Sequence, residues 1–225
     1  MIYFAIFAYM SNSSLYNQSQ GHGFFWEAEV VQKVFNLPPK DNDTSKYDIS
    51  SENNRFGDGH VSIKTTGSSS VGLGDIIRFY TGDFDSGYSI IIIRYSQKGE
   101  KKAIKETIEI AYTKELRDYL FGTAGIDVLQ EYVSFVKSIP AGPVPKPLKD
   151  SYKAKKKAIQ KGHGMAIGIN PKVDSKSQRR VQCSFNIEKI IAAFPGCLKY
   201  KSLDGEVRGA RLTESIDSPR RKRSK

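Results

Sequence analysis

Apolar positions along this chain change period several times, and each change marks an element. Ser89-Ile90-Ile91-Ile92-Ile93-Arg94-Tyr95 is a short continuous apolar run, the pattern of a strand covered on both faces, and it is expected in mid-sheet. Ile104 to Tyr112 alternates apolar with charged residues, as a half-exposed strand does. Residues 47–49 and 60–66 are β-branched or aromatic enough for two further strands, and Gly57-Asp58-Gly59 supplies turn chemistry between them. Helical spacing runs through Gly23 to Phe35, where Glu27, Val30, Val31 and Val34 share a face and Glu29 turns toward water. It recurs in Glu115–Leu120 and Val128–Val136, on either side of a break at Gly122 to Gly125. These elements predict an α/β protein, a sheet flanked by helices.

The second half has a different texture. Ile139 to Pro147 holds four prolines in nine residues, a stiff extended connector. A helix is predicted over Ser151 to Lys161, with Lys153, Lys155, Lys156, Lys157 and Lys161 around a thin seam of Ala154, Ala158 and Ile159. Residues 163–169 and 179–185 then read as two strands of a basic hairpin, followed by a short helix over Asn186 to Phe194. The chain is thus expected to form a flexible segment over 1–20, one domain over 21–212 (core 21–139, basic helix and hairpin region 150–200) and a disordered basic tail over 213–225.

Charge sharpens this division. Residues 1–95 carry 7 Lys and Arg against 10 Asp and Glu, a balance of −3, whereas residues 96–225 carry 28 against 14, a balance of +14. A basic half beside a more acidic one suits a protein that handles a polyanion, since phosphate contacts dominate nucleic-acid affinity. Lys153, Lys156, Lys157, Lys172, Lys176, Gln178, Arg179, Arg180 and Gln182 are the candidate DNA contacts, of the types that pair with phosphates or with guanine and adenine edges. The plain counterpart is a solvated basic surface with no specific partner.

Other chemistry is sparse. Cys183 and Cys197 lack metal-ligand spacing, and a reducing compartment suits them. The three histidines are scattered, with no chelating pair. Met1 to Met10 is apolar but too short to span a bilayer and has no basic flank; Met10 offers an alternative start. A cytoplasmic protein with no membrane partner is expected, or a nuclear one in a eukaryotic or viral host, given the basic run Pro219 to Lys225.

The sharpest constellation is Asp48 on one predicted strand and Lys64 on the next. Hydrolysis of a phosphodiester needs a carboxylate to hold a divalent cation and a cation that orients the attacking water. With a Gly-x-x-x-Glu helix (Gly23 to Glu27), the strand-borne Asp48 and the Ser62-Ile63-Lys64 strand end, residues 21–112 resemble the PD-(D/E)xK nucleases, the superfamily of type II restriction endonucleases. The resemblance implies a restriction-endonuclease-like mixed sheet with helices on its faces and an appended basic helix and hairpin. It also implies a Mg2+-dependent endonuclease acting on double-stranded DNA. Asp48, Glu27 and the Ile63 carbonyl would hold magnesium and Lys64 would handle the water, so that Glu27, Asp48 and Lys64 are the expected catalytic residues. Ser62 stands where the family has a second acid, so a relocated acid is expected at Glu27, Asp58 or Asp75. A homodimer and a cognate DNA methyltransferase are further expectations from the resemblance. The alternatives are a catalytically inactive nucleic-acid-binding module on the same fold, or a protein whose basic half meets an acidic protein. In the blandest case Asp48 merely ends a strand and Lys64 lies on an exposed edge.

Overall fold

The computed structural model describes residues 21–38, 46–173 and 178–218. Its centre is the isoleucine run. Strand β3 (Tyr88–Lys98) lies between β1 (His60–Thr66), which it pairs in parallel, and β4 (Lys101–Ala111), which it pairs in antiparallel through a tight turn. Ile90 and Ile92 enter one hydrophobic cluster and Ile91 and Ile93 enter another, so the run is continuous because both faces of the strand are buried.

The far edge of β4 is shared. β7 (Leu198–Ser202) pairs along Thr107–Ile110, and β10 (Ser215–Asp217) pairs along Lys101–Ala103. Tail disorder from residue 213 was the expectation, and the chain instead stays ordered through β10. Thr213 explains this, because its carbonyl accepts from Trp26 Nε1 at 2.9 Å and its amide and hydroxyl donate to Glu29 at 2.8 and 2.6 Å. Glu29 therefore does not face water as expected; it latches helix α1 (Gly21–Glu29) and the π-helical turn Val30–Val34 to the chain end. Trp26, Val30, Val31 and Val34 press this helix onto Ile49, Val61, Ile63 and Ile91, one face of the sheet.

The other face carries α3 (Lys114–Phe121), α4 (Ile126–Lys137) and α5 (Lys146–Gly162), with a second sheet. That sheet has the order β2-β6-β5, from β2 (Ser70–Asp75), β5 (Gly168–Lys172) and β6 (Arg180–Asn186). Its inner residues Val71, Ile169, Val181, Cys183 and Phe185 share one core with Ile90 and Ile92, so the basic hairpin is built into the domain rather than appended to it. Pro171 lies in β5, which is an edge strand, where a missing amide donor is tolerated.

Three local expectations change. Residues 47–49 form no strand; a single bridge joins Ile49 to Val61, with both amides donating at 3.0 and 2.9 Å. β1 instead finds its partner across the long connection of residues 67–87, which holds β2 and helix α2 (Ile76–Tyr80), as a parallel pair requires. The basic helix begins at Lys146, with Pro147 in its first turn where an amide is not needed, and the first hairpin strand begins only at Gly168. Helix α6 (Ile187–Ala193) and the small pair β8 (Glu206–Val207) and β9 (Ala210–Arg211) complete the architecture, a curled mixed sheet flanked by helices. Among the described residues, no helix is long and apolar enough to cross a membrane.

Candidate active site

Alternation along β1 sends Val61 and Ile63 into the core under α1 and turns Ser62 and Lys64 to the opposite face. Asp48 reaches this strand from outside. Its Oδ2 accepts the Ile63 amide at 2.6 Å and Lys64 Nζ at 3.0 Å, while Lys64 Nζ also donates to the Ile63 carbonyl at 2.9 Å. The Lys64 and Asp48 side chains retain 26 % and 22 % exposure, enough to meet a substrate. Residues sixteen apart thus meet as the sequence anticipated, although through a bridge and not a hairpin.

The segment carrying Asp48 is pinned on both sides. Tyr47 stacks on His60 with ring centroids 4.0 Å apart, and its hydroxyl accepts the Asp83 amide at 2.8 Å. Lys46 Nζ donates to the Thr81 carbonyl at 2.5 Å. His60 Nδ1 accepts the Ser51 amide at 2.9 Å, so its proton sits on Nε2, facing Asp83 Oδ2 at 3.1 Å. The Ser86 hydroxyl and amide, and then His60, hold the Asp83 carboxyl down at about 2. At the start of β1, Gly59 has φ +98°, and a Cβ there would collide with the Gly87 and Ser86 carbonyls. Only glycine lets the two strand starts approach this closely.

A cleft of about 150 Å³ opens over Asp48, Ser62 and Lys64. Its far wall is the β2–α2 junction, where Asp75 caps α2 by accepting the Ile77 and Arg78 amides at 3.0 Å each through Oδ1. Its second oxygen makes no hydrogen bond among the described residues, and the same holds for Oδ1 of Asp48. Leu73, Phe79 and Tyr88 supply apolar walls, and Lys46 and Arg78 add positive charge. Burial pushes the Tyr88 phenol above its ordinary range, so it stays a donor, and it donates to Ser62 Oγ at 3.0 Å. Ser62 is thereby a neutral, buried partner of Tyr88.

The other expected acids lie elsewhere. Glu27 is half-buried on α1, which packs on the opposite face of the sheet, and it does not line the cleft. Asp58 is consumed in an ionic knot: it accepts from Arg208 at 2.9 and 2.8 Å, from Lys199 at 2.5 Å and from Asn54 at 2.8 Å. Arg208 and Lys199 also reach Glu109 on β4, at 2.5 and 3.1 Å. Glu109 and Glu106 are buried, so of the charged positions of that alternating segment only Lys105 faces solvent. Glu106 meets Arg94 directly across β3, whereas nothing local signals the burial of Glu109, whose partners stand about a hundred residues downstream. Asp75, Arg78 and Tyr88 become cleft residues only through a tertiary approach, and of these only Asp75 was anticipated.

The expected DNA contacts separate in the same way. Arg179 donates to the carbonyls of Ile139 (3.1 Å), Val173 (3.3 Å), Gln178 (3.0 Å), Gly142 (3.0 Å) and Pro140, which lashes the proline-rich connector to the hairpin. A guanidinium whose five donors are so occupied is a structural clamp, not a base reader. On α5, Lys155 is tied to Glu131 at 2.7 Å and Lys156 is half-buried, whereas Lys153 and Lys157 are exposed. Lys172 and Arg180 are exposed and face each other across β5 and β6; Gln178 is exposed, and Gln182 stands opposite Asp75 in the β2–β6 register. Lys176 lies outside the described residues.

Asp48 and Asp75 bring hard carboxylate oxygens to one cleft, and the Ile63 carbonyl meets Lys64 Nζ at 2.9 Å, donors that suit a magnesium ion better than a softer metal. Among the described residues, no three His, Cys, Asp or Glu side chains gather as a metal-holding group, so the carbonyl would be part of the set. In comparisons with protein-family models, curated proteins and solved structures, nothing matches this chain.

Proposed function

We propose that the chain is a magnesium-dependent endonuclease of the restriction-endonuclease-like fold that hydrolyses phosphodiester bonds in double-stranded DNA. The observation that carries this reading is the meeting of a carboxylate, a lysine and a backbone carbonyl within 3.0 Å on β1, the carboxylate and the lysine lining an open cleft. Asp48 and Asp75 would hold the ion through their unbonded oxygens, with the Ile63 carbonyl. Bound magnesium polarises a phosphoryl oxygen and acidifies a water. Lys64, oriented by Asp48 and the Ile63 carbonyl, positions the attacking water and offsets charge that builds on the phosphate. Lys46 and Arg78 add cations at the same cleft, and Lys153 and Lys157 extend the positive surface along α5.

Ser62 supports a second reading, a DNA-binding module without catalysis, because a hydroxyl already held by Tyr88 brings no charge to a metal. The two part on one gel. Purified protein with long duplex DNA and magnesium should yield fragments that a chelator suppresses; discrete bands mean a site-specific enzyme, a smear a nonspecific one, and retention without cutting the inactive module.

Asp75 offers a finer test. Asparagine caps a helix about as well as aspartate, so Asp75→Asn should leave the melting temperature near wild type, whereas Asp75→Ala should cost about 1 kcal/mol. With Asp75 as metal ligand, both variants lose cleavage by at least roughly tenfold, the tenfold being about 1.4 kcal/mol of transition-state stabilisation. Full activity in Asp75→Asn would remove Asp75 from the ligand set.

A further inference from the structure

Along β6 the buried residues are Val181, Cys183 and Phe185, so Arg180, Gln182 and Ser184 project from the other face of the β2-β6-β5 sheet. The registers place Lys172 opposite Arg180, Asn170 opposite Gln182, and both Gly168 and Gly72 opposite Ser184. Asn170 Nδ2 donates to Ser184 Oγ at 2.8 Å, which orients the amide. Among the described strand residues of this face there is no apolar side chain, and no carboxylate until Asp75, which stands beside Gln182 at the cleft. A solvated sheet face ordinarily mixes both signs of charge. This one offers cations, amides and hydroxyls, with Asp75 its one carboxylate among the described strand residues.

Gly72 is the second observation. It is exposed inside β2, its φ is not in the left-handed region, and a Cβ added there would meet nothing within 4 Å. Side-chain packing does not require glycine there, although the position lies where the β2–β6 register shifts, a common setting for a strand glycine. Gly168 differs, since its Cβ would press on Ser184 Oγ at 3.0 Å. An exposed glycine with open space above it, in the floor of a polar face, leaves room for another molecule to approach the backbone closely.

We infer that the outward face of the β5–β6 pair docks in the major groove of duplex DNA, with β2 beside the groove, Gln182 and Asn170 set to pair with base edges and Arg180 and Lys172 with guanine or phosphate. The choice of duplex rests on the nuclease reading. The β5–β6 pair is a two-stranded ribbon, the width that a groove about 12 Å wide admits. Amides suit adenine, and arginine and lysine suit guanine. Because Gln182 adjoins Asp75, the reading face runs directly into the cleft.

The test is selection from a pool of random-sequence duplexes in calcium buffer, with retained DNA sequenced. Wild type should enrich a motif. Gly72→Val should melt no lower than wild type and lose that enrichment, and Gln182→Ala should relax the preference at one base position by about tenfold, the scale of one bidentate contact. A wild type that retains all sequences equally overturns the inference. So does a pair of variants that both select the wild-type motif with wild-type affinity. Magnesium cleavage measured in parallel separates the two readings: motif selection without cutting overturns the nuclease and keeps the reading face, while cutting with unchanged selection in both variants overturns the face alone.

Discussion

Lys64→Ala should lower the rate of magnesium-dependent cleavage by about 10²–10³-fold, the range for removing one charge-stabilising donor from an active site. The ammonium is held at 3.0 Å from Asp48 and 2.9 Å from the Ile63 carbonyl, so its position is set before substrate arrives. Removing it leaves Asp48 still bonded to the Ile63 amide at 2.6 Å, and the carboxylate keeps its place. The ion pair is partly exposed, so stability should change by only about 0–1 kcal/mol. Duplex binding should survive, because on the proposed reading many other cations would carry the phosphate contacts. Initial rates of plasmid nicking, beside gel-shift affinity, check both halves; an equal loss of cleavage and binding would make Lys64 a phosphate anchor. Lys64→Arg should not rescue the rate, since a planar fork cannot replace a compact ammonium between the same two oxygens.

Arg208→Ala should destabilise the fold by about 3–5 kcal/mol, the cost of stripping one partner from a buried ion cluster. The Arg208 side chain is 10 % exposed and that of Glu109 only 4 %, and the substitution leaves Glu109 buried with Lys199 alone. The guanidinium also covers the Phe35 and Phe56 rings at 5.5 and 4.8 Å, so packing is lost with the charge. Denaturant midpoints would measure the loss. Adding Glu109→Gln and Asp58→Asn to the same chain should recover part of it by removing the orphaned charges; no recovery would mean that packing, not charge, dominates.

Acid should attack the same cluster. Burial by itself would raise the Asp58 and Glu109 carboxyls, but hydrogen bonds and charge from Arg208 and Lys199 outweigh it and hold both below their ordinary values of 3.8 and 4.5. Carboxyls depressed in the folded state stabilise it fully above their unfolded values and lose that contribution as pH falls through the folded ones. Wild-type stability should therefore fall with acid from about pH 4.5 downward, and more steeply than in the neutralised triple variant.

How much of this was legible beforehand varies with distance along the chain. Ile90 to Ile93 announced a strand covered on both faces, and the spacing of Leu129, Val133 and Val136 announced a helix whose stripe is buried. Asp48 and Lys64 could be paired because only sixteen residues and one turn separate them. Asp75 carried a visible cap signal, but its approach to the cleft depends on the parallel pairing of β1 with β3, which swings the β2–α2 connection over Lys64. Glu27 had the right chemistry on a helix that packs on the wrong face. Arg179 had a base reader's chemistry and became a clamp because five carbonyls converge on it.

Side-chain alternation, helical spacing and turn preference act over a few residues, so the sequence by itself determined the isoleucine strand with its two buried faces, the main helices and the carboxylate–lysine pair. Which polar residues meet across a hundred positions was decided only by tertiary packing. Arg208 with Glu109, Thr213 with Glu29 and Gln182 beside Asp75 come together because burying both faces of one sheet leaves the chain little choice of path. A buried charge or amide then keeps whichever partner that path delivers, since leaving it unpaired costs more than any local preference returns.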